Sequence, residues 1–377
     1  MPHIVFHRGL LKSCLPPKEK DISPPAEEQP RTSSKCLDAS RFIGIPTLRR
    51  GAAPAKQSVP DASPPDAPPD ASNHSGPIGR HRTVLRFREP ERESDAVLVY
   101  DTPPLQPPEA MAFFRHTGQT QHLPPSINTQ GLDTLLLAGS ERISSVDQVK
   151  EIRRHFGDVP LVVVDLRQES HAVAQKHPLT WRGAMDWANV GLKTDAVLEL
   201  EAQQIEALRL QRSATALHAD QVKGKTADPA AKRLDTAEVR SEQEIVEAAG
   251  AAYSRIAVSD HVRPAREDVD RFIALVRSLP EGTALHVHCN GGRGRTTTFM
   301  ALYDMLQNAR VVDAASIIAR QSSLGYDYNL ADTGAVKESK RAFHADRLDF
   351  LQEFHAYARE NPRGQPLSWS EWRGSDA

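Results

Sequence analysis

Residues 161–167 (LVVVDLR) and 284–289 (ALHVHC) are apolar or β-branched at almost every position. A strand with one wet face alternates apolar and polar side chains. Runs without that alternation are buried on both faces, like the central strands of a parallel sheet covered by helices. This pattern restricts the chain to an α/β fold with a mostly parallel central sheet. The neighbouring segments agree with it. Residues 96–101 (AVLVYD) and 132–140 (LDTLLLAGS) read as strands, and 145–156 as a helix capped by Ser144 or Ser145. The periodicity predicts a helix over 242–253, a strand over 254–258, an amphipathic helix over 266–280 and a helix over 295–309. The stretch 192–240 is more polar, with a weak pattern, and reads as an inserted subdomain.

Proline marks where the fold begins. Residues 1–80 hold 14 of the 28 prolines, and 59–77 are almost free of large apolar side chains. Such a segment cannot bury enough surface to offset the entropy of ordering it. Residues 1–85 are therefore expected to be disordered and 86–377 to fold. Net charge is −2 for the chain, which gives no bulk attraction to nucleic acid. Three cysteines, Cys14, Cys36 and Cys289, exclude a disulfide scaffold and a four-cysteine zinc site. No metal or cofactor is expected. No apolar run reaches the roughly 18 residues of a membrane span. The N-terminus is a poor cleavable secretory signal, its short apolar patch being broken by charge and proline.

The segment with the most chemistry is His288-Cys289-Asn290-Gly291-Gly292-Arg293-Gly294-Arg295-Thr296. It reads as strand, glycine-rich loop and helix start. Glycines let successive N–H groups turn inward as an anion nest, and the helix N-terminus adds positive dipole. Such a ring favours the thiolate of Cys289. Arg295 can hold two phosphate oxygens in its planar fork. Thr296 can donate a hydrogen bond to the sulfur. Together they make a nucleophile aimed at a bound phosphate monoester. The bland alternative is a buried core cysteine with a helix-start arginine. An alkoxide leaving group needs an acid, and Asp260, directly after strand RIAVS, fits that role; otherwise it caps the helix near Pro264. Asp165, on the other central strand, is either a site residue or a partner of Arg167. Lys337, Lys340, Arg341, His344 and Arg347 recur at helical spacing above an apolar stripe of Leu348, Leu351 and Phe354. That row is a second cationic surface or an ordinary solvated face.

RIAVSDHVRP, HVHCNGGRGRTTTFM, VVVDLRQESHAV and WRGAMDWANVG together resemble the protein-tyrosine-phosphatase-like phytases, from about Arg115 to the C-terminal LSWSEWR. The resemblance implies a phosphatase α/β core plus a small partial-barrel subdomain, expected here from 86–110 and 192–240. It implies metal-free, stepwise removal of phosphates from inositol hexakisphosphate through a phosphocysteine intermediate. Cys289 then matches the nucleophile, Arg295 the phosphate-binding arginine and Asp260 the general acid. His261, Asp165, Arg115, Lys340, His344 and Arg347 match substrate-binding positions, as does the loop Asn290 to Gly294. The loop departs from the family pattern. Asn290-Gly291 stands where Glu-Ala is common, and Arg293 where a small or apolar residue is common. His344 falls where the family often has tyrosine. Some members are type III effectors of plant-pathogenic bacteria, which implies delivery into the host cytoplasm without a cleavable signal. The same loop chemistry also serves protein-tyrosine and phosphoinositide phosphatases, and a pseudophosphatase that only binds. Beyond an inositol polyphosphate no partner is indicated.

Overall fold

The apolar runs become the centre of the sheet they predict. The computed structural model describes residues 96–101, 111–222, 231–326, 328–362 and 367–374. The disorder expected over 1–85 lies outside the described residues, as do 86–95 and 102–110. The strands are β1 (Val97–Tyr100), β2 (Arg115–His116), β3 (Leu137–Ser140), β4 (Leu161–Arg167), β5 (His171–Ala174), β6 (His177–Arg182), β7 (Ser213–His218), β8 (Lys232–Asp235), β9 (Ala252–Val258) and β10 (Ala284–His288). The helices are α1 (Val146–Phe156), α2 (Thr194–Gln211), α3 (Ala219–Val222), α4 (Glu242–Ala248), α5 (Arg266–Ser278), α6 (Gly294–Asn308), α7 (Ala314–Leu324), α8 (Glu338–Glu360) and α9 (Trp369–Arg373).

One sheet runs β2-β3-β10-β4-β9. Three of its four pairings are parallel, β10 with β3 and β4, and β4 with β9; only edge strand β2 is antiparallel. Pleating sorts the β4 side chains between two cores. Val164 and Leu166 pack with α5, α6 and α8, whereas Leu161 and Val163 pack with α1 and α4. Helix α6 is buried along almost its whole length. Helix α8 adds Phe350, Leu351 and Phe354 to the first core, each contributing roughly 2 kcal/mol by leaving water.

The second sheet runs β5-β6-β1-β7-β8. It draws β7 and β8 from the polar stretch 192–240, and also takes β5 and β6, which lie outside the segments expected to supply it. The 18-residue helix α2 falls in the same stretch. Two expected boundaries move. The helix expected over 242–253 ends at Ala248, and β9 begins at Ala252, because Gly250 takes φ +74° and breaks the helical path. The strand expected over 132–140 is regular only from Leu137.

Candidate active site

Strands β4, β9 and β10 end side by side, so the loops after them share the carboxyl edge of the sheet. A ligand on an open parallel sheet binds at that edge. The loop after β10 carries Cys289, buried at 3% exposure. Thr296 Oγ1, on the first turn of α6, donates to its sulfur at 3.2 Å. Among the described residues, the N–H groups of Asn290, Gly291, Gly292 and Arg293 donate to no protein acceptor. Gly292 has φ +65°, and a Cβ there would sit 2.5 Å from the Glu141 nitrogen, so only glycine fits. Asn290 offers its carbonyl to Arg142. Gly291 is exposed and Gly294 half-buried.

Arg295 turns back under this loop. Its Nη atoms reach Glu169 at 2.8 and 3.0 Å, a bidentate fork, and one also donates to the Val258 carbonyl at 3.0 Å. Its Nε lies 3.2 Å from Asp260. Burial by itself disfavours the Glu169 charge, but Arg295 and Arg167 hold the carboxyl far below its ordinary range. Glu169 thus fixes the guanidinium plane without competing for protons.

Asp260 stands in the loop after β9, with 23% of its side chain exposed. Its backbone carbonyl accepts the Trp187 indole N–H at 3.0 Å, and its carboxylate lies 3.3 Å from His261. The His261 ring in turn lies 3.3 Å from Lys340 on α8. Burial first, and then Lys340 and Arg295, outweigh Asp260 and lower the His261 pKa. One turn further along α8, His344 is buried, with its Nδ1 3.1 Å from both the Asp332 carbonyl and Arg347. Arg347 is 2% exposed, and its Nε has no hydrogen-bond partner among the described residues. Lys337 and Arg341 point to solvent.

Two expected site residues do not open onto this edge: Arg115 meets the loop from beneath, within the field of Cys289, and Asp165 points away from it. Arg115 is buried behind the loop, donating to the Gly292 carbonyl and to Thr297 at 2.9 Å. Burial pulls its pKa down to about 10. Asp165 follows the pleat parity of Leu161 and Val163, away from Val164 and Leu166. It is wholly buried against Arg255 at 2.8 Å, His171 at 3.0 Å and the Tyr253 hydroxyl at 2.9 Å. Its contact with Arg167 is only to that residue's backbone N–H. Asp165, His171 and Glu242 present atoms within 4.8 Å of one another, a spacing that can suit a metal. Arg255 already supplies cationic charge there, and Glu242 also faces His288 at 2.7 Å, so the cluster is built as an ion-pair network.

Three residues at the site went unread in the sequence. Glu169 lies two positions past the end of β4, in the motif that directed attention to Asp165 instead. Trp187 braces the loop that carries Asp260. Asp186 bonds Arg182 at 2.6 Å, while its other carboxylate oxygen is buried without a hydrogen-bond partner among the described residues. Burial first, then the Glu169 charge, raises its pKa to about 6.

The family model PTP-like phytase, described by "Inositol hexakisphosphate", matches residues 164–307. The structure of a PTP-like phytase from Bdellovibrio bacteriovorus is 32% identical with TM-score 0.60, covering 76% of this chain and 97% of that one. The chain belongs to the PTP-like phytase family. Another family structure, a PTP-like myo-inositol phosphatase from Mitsuokella multacida in complex with myo-inositol-(1,3,4,5)-tetrakisphosphate, is 28% identical with TM-score 0.65. That alignment covers 77% of this chain and 50% of the Mitsuokella chain. Effector protein hopD2 of Pseudomonas syringae pv. tomato is 46% identical over 326 residues, which is 85% of this phytase-family chain and 70% of hopD2.

Proposed function

We propose that the protein hydrolyses phosphate monoesters of inositol polyphosphates, inositol hexakisphosphate among them, through a phosphocysteine intermediate. The observation that carries this reading is the convergence of Arg295 with the Cys289 loop on one side and Asp260 on the other, 3.2 Å from its Nε. The Arg295 fork expected to hold phosphate is taken by Glu169, so the phosphate oxygens fall to the free N–H groups of the loop and to the Nε edge of Arg295. The Cys289 sulfur attacks phosphorus in line. As the P–O bond breaks, Asp260 gives its proton to the departing alkoxide. Water then attacks the phosphocysteine and Asp260 takes its proton. The P–S bond breaks to release inorganic phosphate, with Thr296 donating to the departing sulfur. In this reading Arg295 and the amides meet the developing charge. Lys340, His261, His344, Arg347 and Arg293 surround the mouth of the nest and bind further phosphates. Arg115 and Asp165 act from behind, holding the loop and the sheet edge.

We assign 86–377 to catalysis and 1–85 to delivery. The name of hopD2, an effector protein, supports export into a host cell by a type III route. The named Mitsuokella ligand supports the substrate class.

Phosphate release from inositol hexakisphosphate, a phosphotyrosine peptide and a phosphoinositide, each with and without chelator, tests the reading. The inositol phosphate is expected to turn over fastest and without loss to chelator. Cys289→Ser should bind it and release no phosphate. Faster peptide turnover by orders of magnitude, or a Cys289→Ser variant with near-native rate, would overturn the reading.

A further inference from the structure

The departures of the loop from its family pattern centre on Arg293, and the surroundings of that side chain are specific. Arg293 is exposed at the start of α6. Its guanidinium carbon lies 5.3 Å from the Phe113 ring centre and 5.5 Å from that of Tyr328. No carboxylate pairs with it among the described residues. The same Tyr328 ring lies 5.5 Å from the guanidinium of Arg347, which also donates to the Tyr328 hydroxyl at 3.2 Å. Tyr328 sits against the loop itself, since a Cβ on Gly294 would meet its hydroxyl oxygen at 3.2 Å. Phe113 holds φ +56°, and its ring packs edge-on against Tyr326 at 5.5 Å.

Two arginines therefore share one aromatic ring beside the phosphate nest. Arg347 is buried with an unpartnered Nε. Stacking leaves the edge of a guanidinium, where its donors are, free to bind an anion. It also holds a long side chain that would otherwise lose rotamer entropy on binding.

We propose that Arg293 and Arg347, held by Phe113 and Tyr328, form a second phosphate subsite beside the nucleophile loop. It takes a phosphate neighbouring the one under attack, and so selects vicinally phosphorylated rings over isolated monophosphates. The inference rests on the inositol polyphosphate reading and names the residues that set its selectivity. Arg293 and Arg347 touch substrate; Phe113 and Tyr328 are positioning residues that act through them.

The test is kinetic and uses the full chain. The selectivity ratio is kcat/KM for inositol hexakisphosphate divided by kcat/KM for p-nitrophenyl phosphate. Arg293→Ala should lower this ratio about tenfold, through KM for the hexakisphosphate, and flatten the rise of that KM with salt. Arg293→Lys keeps charge but not the stacked fork, and should fall between. Phe113→Leu should lower the ratio in the wild-type background and have little further effect on Arg293→Ala, because the ring acts through the arginine. An unchanged ratio in Arg293→Ala sinks the subsite, as does an additive Phe113→Leu effect. Arg293 is exposed, so its variants do not depend on core packing. The two readings fail separately. A wild-type enzyme that prefers a phosphotyrosine peptide removes the substrate class, whereas a hexakisphosphate-selective wild type with an indifferent Arg293→Ala removes only the subsite.

Discussion

Asp186 shows how one carboxyl changes the chemistry of a site without being legible in its motif. Met185 and Asp186 have φ +55° and +65°, a left-handed backbone that costs on the order of 1 kcal/mol per non-glycine residue. Burial first, and then the charges of Glu169 and Asp260 toward which the turn carries the carboxyl, lift its pKa from 3.8 to about 6. The sign follows from the raised value. The folded state binds this proton more tightly than the unfolded chain. The stability it contributes is present below pH 3.8 and lost as pH rises through about 6. Deprotonation also adds a carboxylate beside those already at the nest, so an incoming phosphate meets more repulsion. The log kcat/KM profile should therefore bend downward near pH 6 in the wild type, and that bend should be absent in Asp186→Asn. Profiles of both proteins on one substrate cancel the titration of the substrate itself. Identical profiles would exclude Asp186 from the working site.

At the scale of elements, the loop after β9 depends on a side chain from the turn after β6. Trp187 gives its indole N–H to the Asp260 carbonyl and packs edge-on against Phe343 of α8 at 6.1 Å. Trp187→Phe keeps an aromatic ring and removes the donor. The Asp260 loop then loses its tether; with Asp260 as the proposed acid, turnover of an alkyl phosphate should fall several-fold more than that of p-nitrophenyl phosphate, whose phenolate leaves without a proton. Equal losses would mean that the tryptophan serves only the fold. The same loops explain what was legible. Cys289 and Asp260 could be read because each stands at the end of an apolar run, and Arg295 because it closes the glycine-rich loop that follows Cys289; chain order sets all three at one sheet edge. Glu169 pairs with Arg295 across 126 positions, and Trp187 meets Asp260 across 73, so only the three-dimensional crossing of loops reveals them. Asp165 was legible in principle. It shares pleat parity with Leu161 and Val163, and that parity points it at α4. Strands β5 and β6 were missed as members of the second sheet because their pattern is local while their partner β1 comes from far upstream.

At the scale of the whole molecule, the two sheets are joined by charge as well as by packing. The chain leaves β4 in the parallel sheet and enters β5 in the other at His171. That ring lies 3.0 Å from Asp165 on β4, 3.4 Å from Glu201 on α2 and 3.3 Å from Glu242 on α4. Arg255 on β9 pairs with Asp165 and Glu201, and Glu242 continues to His288 next to Cys289. Burial, and the charges of Arg167 and Arg255, oppose a proton on His171. Glu201 and Asp165 more than offset them, and the pKa is pushed up to about 9. A raised histidine stabilises the fold fully below its unfolded value of 6.5, and that contribution is lost as pH rises through about 9. Removing the ring's charge leaves three buried carboxylates short of a cation, a loss of about 3 kcal/mol by the usual cost of breaking a buried pair. His171→Gln should therefore unfold at lower urea than the wild type near pH 6. The gap should narrow above pH 9, where the wild-type ring is also neutral. A gap that holds constant from pH 6 to pH 10 would mean the imidazole is held by shape alone, and that the junction between the sheets owes nothing to its proton.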